Sequence, residues 1–203
     1  MRPALLAWLA SGCLAGFALL AVVVAHGTQA YGFEDPIING LADPATTPRW
    51  ADLSEILATP VIAVVLVTSV IVGAIKRVLL RVAVYAALAV LAFLVSEHIA
   101  KPLVHRSFYA EVTFPSGSVT AVCATALATW LAHSAWLGRR GRNVVLFFYG
   151  AWTILIALAV VAALWHTPLD SLGSVLLSVG VVAGGGAIFE RALRRGRGPG
   201  PLA

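Results

Sequence analysis

The chain has 203 residues, of which 60% are hydrophobic and only 11% charged, and its mean hydropathy is +0.93. A soluble domain carries about 25% charged residues, so this composition excludes one and makes the bilayer the solvent. Once the connecting loops are subtracted, the length accommodates about six spans of roughly 20 residues and leaves nothing for a second domain.

Uncharged apolar runs mark these spans in chain order: Ala4 to Ala25, Leu57 to Ile75, Val82 to Ile99, Val119 to Trp136, Val144 to Trp165 and Leu172 to Phe189. All six are predicted to be helices, because an open sheet leaves backbone groups unsatisfied in hydrocarbon and the alternation of a membrane barrel is absent. The predicted fold is all-α: a polytopic membrane bundle of about six helices over residues 1–190, followed by a basic, disordered tail over 191–203. The first run is read as an anchor rather than a cleaved signal, since about 22 apolar residues exceed a signal core and no small-residue cleavage site follows.

Between the first two runs lies a loop rich in turn formers, Asp35-Pro36, Asn39-Gly40 and Asp43-Pro44, which reads as an ordered connection without a legible function. Arg49 and Trp50 follow it and anchor a short amphipathic stretch, Asp52 to Leu57, at the headgroup layer. Gly12 with Gly16, and Gly180 with Gly184 beside Gly185 and Gly186, predict close packing of helices within the chain. Cys13 and Cys123 fall inside spans as small packing residues, so no disulfide, metal or cofactor is expected.

Cations give the orientation. Arg2, Lys76, Arg77, Arg81, Arg139, Arg140, Arg142, Arg191, Arg194, Arg195 and Arg197 all fall on one side, which is eleven of the fourteen basic residues. The positive-inside rule makes that side cytoplasmic and places both termini there. Eight of the nine acidic residues fall on the other side or at its boundary, leaving only Glu190 inside. The net charge of +5 therefore speaks for topology and contact with anionic headgroups, not for nucleic acid.

Three short stretches come together on the outer face. Lys101-Pro102-Leu103-Val104-His105-Arg106 ends the third span, where Pro102 is expected to turn Lys101 out of the helix. Phe114-Pro115-Ser116-Gly117-Ser118 opens the fourth span, where a glycine and the free N–H groups of a helix start suit an anion. His166-Thr167-Pro168-Leu169-Asp170 joins the fifth and sixth. Two cations, an anion-binding helix start and a histidine near a carboxylate form a constellation suited to phosphoryl transfer.

These stretches resemble the three signature motifs of the type 2 phosphatidic acid phosphatase superfamily, which comprises membrane lipid phosphatases and vanadium haloperoxidases. That pattern is Lys, six residues and Arg-Pro; then Pro-Ser-Gly-His; then Ser-Arg, five residues, His, three residues and Asp. The resemblance implies that His166 is a nucleophile forming a phosphohistidine and that Asp170 orients it. It likewise implies a phosphate cradle made of Lys101, Arg106, Ser116, Gly117 and Ser118. The chain departs from the pattern at defined places. Ser118 stands where the family has its general-acid histidine, Ala159-Val160 replaces Ser-Arg, four residues rather than six separate Lys101 from Arg106, and Ser107 replaces the proline.

A lipid phosphatase acting at the extracytoplasmic face is the activity this resemblance implies. Loss of a general acid costs about 10²- to 10⁴-fold, and less when the leaving group is good, so lipid diphosphates such as polyprenyl diphosphate are the expected substrates. The alternative is a catalytically degenerate relative that binds lipid phosphates or supports envelope assembly. His98 and His105 are near enough to be replacement acids but read as interface residues, as do His26 and His133; Glu97 and Glu111 carry the same ambiguity. Arginine outnumbers lysine twelve to two among the fourteen basic residues, which suggests a GC-rich bacterial genome and hence an inner membrane. Oligomeric state is not encoded in any of these features.

Overall fold

A computed structural model describes residues 2–109 and 111–196. The chain forms α1 (Pro3–Val24), α2 (Asp35–Leu41), α3 (Thr47–Ile75) and α4 (Leu79–Val95), which runs through a π-helical turn (Ser96–Ala100) into α5 (Lys101–Val104). A two-stranded antiparallel hairpin, β1 (Ser107–Phe108) and β2 (Glu111–Val112), leads to α6 (Gly117–His133), α7 (Arg139–Ala162) and α8 (Pro168–Arg195).

Five of these rods are long and apolar enough to cross a membrane: α1, α3, the continuous Leu79–Val104 helix, α7 and α8. The protein is a multi-pass membrane protein. Trp8, Leu19, Val64, Phe147 and Ile188 are exposed on its flanks, a density of large apolar surface that belongs against lipid tails rather than water. The fourth predicted span is α6, only 17 residues long, and thirteen of them are buried. It is the central helix, packed by α3, α4, α7 and α8. Its many Ala and Thr residues let four neighbours approach at once.

Three boundaries differ from the sequence prediction. First, α3 begins at Thr47 rather than near Leu57, so the amphipathic stretch forms its opening turns instead of a separate segment. Pro48 sits in the first turn, where a missing N–H is not needed. Second, Lys101 is helical (φ −57°, ψ −52°) despite Pro102. The wider π turn just before it loosens the carbonyl ladder where the proline ring would clash, and the helix ends only at His105, with φ 50°. Third, α8 continues to Arg195, so the basic tail begins as helix; residues 197–203 lie outside the described residues.

The small face of α8 packs against α1 and α4. A Cβ on Gly180 would lie 2.6 Å from Leu14 Cδ2, and one on Gly185 would lie 2.2 Å from Leu88 Cδ2. Gly12, by contrast, has nothing within 4 Å of such a Cβ. Gly180→Val is therefore expected to lower stability in detergent by about 1–3 kcal/mol, the usual cost of overpacking. Gly12→Val should leave the thermal midpoint unchanged; an equal drop in both variants would refute the assignment of the packed face.

At one end of the bundle, Arg81 of α4 pairs with Glu190 of α8, and the Tyr85 hydroxyl donates to the same carboxylate at 3.3 Å. The opposite end is stitched by backbone bonds: His26 N–H to the Val104 carbonyl (3.0 Å), Ser107 N–H to Gly27 (2.8 Å) and Ser116 N–H to Asp170 (3.4 Å). These bonds bring the α1–α2 link, the hairpin, the start of α6 and the start of α8 together. The three motifs belong to this end.

Candidate functional site

A pocket of about 450 Å³ opens at this end. Its walls are Ala58, Thr59 and Ile62 of α3, Phe93 of α4, Glu97 of the π turn, Lys101 of α5, Gly117, Ser118 and Ala121 of α6, and His166 of the α7–α8 link. Of the seven residues singled out in the sequence, Lys101, Gly117, Ser118 and His166 thus meet here. Arg106, Ser116 and Asp170 do not line it.

Ser116 is the N-cap of α6: its side chain accepts from the Val119 N–H at 3.5 Å, and the residue is buried. The following N–H groups, of Gly117 and Ser118, belong to the first turn and have no intrahelical acceptor. They lend the pocket the partial positive charge of a helix start. Lys101 adds a full charge, its Nζ donating to Glu97 Oε2 at 2.8 Å. The other Glu97 oxygen, Oε1, is buried without a hydrogen-bond partner. It lies 2.4 Å from where a Cβ on Gly117 would be, so glycine is what lets this carboxylate settle at the head of α6.

His166 is held by the residues that begin α8. Thr167 is its N-cap and forms a capping box with Asp170. The Thr167 hydroxyl accepts from the Asp170 N–H (3.4 Å) while Asp170 Oδ2 accepts from the Thr167 N–H (2.8 Å). The imidazole directly before this box has its Nδ1 buried and unpartnered, 3.9 Å from Asp170 Oδ2. That separation is longer than a hydrogen bond. Burial first, and then the nearby Lys101 charge, push the His166 pKa down to about 3, with the Thr113 backbone pulling the other way. The ring is neutral at physiological pH, which is the nucleophilic form.

Arg106 has a different place from the expected phosphate cradle. Its side chain is fully buried, Nη1 donating to Asp170 Oδ1 (2.9 Å) and Thr167 Oγ1 (2.8 Å), and Nη2 to Glu34 Oε2 (2.6 Å). Tyr31 stacks 5.4 Å from the guanidinium. A guanidinium clasped by two buried carboxylates has both terminal nitrogens engaged within the protein, while its Nε is buried without a partner, and Arg106 does not line the pocket. Asp170 is likewise committed, to Arg106 and to its own helix cap, and stands beside His166 without a hydrogen bond to it. Glu34, from the loop whose purpose the sequence left open, also accepts from the N–H groups of Tyr31 (2.9 Å) and Leu169 (3.0 Å). Burial works against its charge, but these donors, Thr167 and Arg106 hold its pKa below the ordinary value.

Glu34 and Glu97 are the site-end residues that sequence reasoning did not assign. No spacing connects residue 34 with 106 and 170. Glu97 and Lys101 did carry a signal, an acid and a base four apart on a helix. Among the described residues, no group of three or more His, Cys, Asp or Glu side chains is placed to hold a metal ion.

Compared with protein-family models, curated proteins and solved structures, the chain finds no significant match. Its resemblance to the lipid phosphatases rests on the quoted motifs.

Proposed function

We propose that the protein is a lipid phosphatase that hydrolyses a lipid phosphate or diphosphate through a phosphohistidine on His166. The observation that carries this reading is the convergence of Lys101, the α6 start at Gly117 and Ser118, and His166 on one pocket from three separate segments. With Nδ1 turned toward Asp170, Nε2 is the nitrogen left to attack phosphorus. Lys101 and the α6 N–H groups stabilise charge on the phosphoryl oxygens, the term that usually contributes most to such catalysis. Asp170 supports the ring electrostatically, and catalytic hydrogen bonds that are long without substrate commonly tighten when it binds. The charge asymmetry supports an extracytoplasmic pocket, which the substrate reaches from the bilayer, and the excess of arginine over lysine supports a bacterial inner membrane.

The test is release of inorganic phosphate from a panel of lipid mono- and diphosphates by the purified protein in detergent, beside His166→Ala. Wild-type turnover that His166→Ala lacks is the expected result; equal activity in both ends the phosphohistidine proposal. One observation favours a second reading, a protein that binds lipid phosphates without turnover: Arg106 and Asp170 are both tied up in a buried ion-pair network. Phosphate binding with no release in either protein would establish that reading instead.

A further inference from the structure

Glu97 is the ionisable group in the pocket to which no motif gives a task. It projects from the π turn, one helical turn before Lys101, and its Oε2 takes the Lys101 ammonium at 2.8 Å. Its Oε1 is buried and unpartnered at the head of α6. A carboxylate thus occupies the place where Lys101 and the helix start would hold an anion. Any phosphate entering the pocket must share it with Glu97, and two anions in contact cannot both stay fully ionised. A proton taken up by the pair lies between the phosphoryl group and Glu97, whose unpartnered Oε1 is the side-chain oxygen placed to hand it to the departing group. Ser118, at the neighbouring position, offers only a hydroxyl, too weak an acid to release a proton to a leaving alcohol.

We propose that Glu97 is the proton donor for the leaving group, a role that rests on the phosphatase reading above. In the first step the lone pair of His166 Nε2 forms the P–N bond as the P–O bond to the leaving group breaks. The proton of the Glu97 carboxyl passes to the departing oxygen, giving the alcohol, a phosphohistidine and the Glu97 carboxylate. In the second step this carboxylate takes a proton from water as the water oxygen attacks phosphorus. The P–N bond breaks, its electron pair returns to Nε2, and inorganic phosphate departs. Glu97 then loses its proton to solvent and re-pairs with Lys101. With an acid in place, the preference for diphosphates expected from the loss of the family histidine shrinks, because alkyl monophosphates also receive their proton.

Glu97→Gln keeps the shape and removes the proton. The experiment compares this variant with the wild-type full chain in detergent micelles on an alkyl lipid monophosphate, a lipid diphosphate and p-nitrophenyl phosphate, with calorimetric binding of inorganic phosphate as a second readout. Monophosphate hydrolysis should fall by about 10²- to 10⁴-fold, the range for a lost general acid, and p-nitrophenyl phosphate and diphosphate hydrolysis by less than about tenfold. The diphosphate-to-monophosphate ratio therefore rises. Phosphate binding should be as tight as in the wild type or tighter, since a competing negative charge is gone, and this also reports an intact pocket. Equal losses on all three substrates, no loss on any, or weakened phosphate binding would each overturn the assignment. If wild type and His166→Ala release phosphate equally, the phosphohistidine falls while the leaving-group pattern still judges Glu97. If the wild type hydrolyses none of the three, both proposals fall together.

Discussion

Arg106→Ala should destabilise the protein by about 3–5 kcal/mol, the cost of removing one partner from a buried ion pair. The side chain lies between two carboxylates, Glu34 and Asp170, all of them fully buried. Taking it away leaves two desolvated negative charges facing each other at the junction of the α1–α2 link, the hairpin and the start of α8. Arg106→Lys should recover little, because an ammonium cannot span both carboxylates and Thr167 as the planar fork does. Thermal unfolding in detergent measures the loss. A companion measurement separates this structural role from the cradle role that the sequence suggested: under conditions where Arg106→Lys remains folded, its affinity for inorganic phosphate should match the wild type. A stable Arg106→Lys protein with weakened phosphate binding would return the residue to the cradle. Acid should mimic part of the effect. Since the folded pKa of Glu34 is depressed, its contribution is present above the ordinary glutamate value, about 4.3. It is lost as pH falls through the lower folded value.

What the sequence made legible, and what it did not, divides along physical lines. Long apolar runs are governed by bilayer thickness and backbone hydrogen bonding, so α1, α3, α4, α7 and α8 could be placed within a few residues at most ends. Where they failed, at Thr47 and at Lys101, a local device decided: a proline tolerated in the first turn, and a π turn that made Pro102 harmless. Gly180 was read as a packing residue and lies against Leu14, because a close approach between helices demands the absence of a side chain. The site was legible only where residue type and position act alone. Lys101, Gly117, Ser118 and His166 share a pocket because each sits at the same end of a different element. Arg106 and Asp170 carried the same kind of signal, but their roles depend on a third residue, Glu34, brought from 72 positions away. A motif records which side chains stand near one another and is silent on which of them a distant carboxylate has claimed.

His166→Ala should remove activity by a factor on the order of 10⁴ or more, as expected when a nucleophile is lost and only binding and electrostatic stabilisation remain. The pH dependence identifies the ring more sharply. An ordinary histidine titrates near 6.5, and a nucleophile with that pKa would lose activity between pH 7 and 5. Burial and the Lys101 charge hold the His166 pKa at about 3, so once kcat/KM is corrected for the second ionisation of the substrate phosphate, at about 6, it should show no acid limb near 6.5 and should decline only toward pH 3. Stability must respond in the opposite sense to charge. Between the unfolded value and about 3, the unfolded chain carries a proton on residue 166 that the folded chain refuses. Stability therefore falls with falling pH across that window, and levels off below it. His166→Ala abolishes this term, so the variant should lose less stability than the wild type between pH 7 and pH 5, although it is inactive throughout. An acid limb at about 6.5 together with identical pH–stability slopes in the two proteins would mean that the imidazole is hydrated and Lys101 does not act on it. A neutral ring persisting to low pH, in a pocket whose other wall is a helix start and a lysine, is the condition under which a phosphate dianion and its nucleophile can occupy one site without the histidine surrendering its lone pair to a proton.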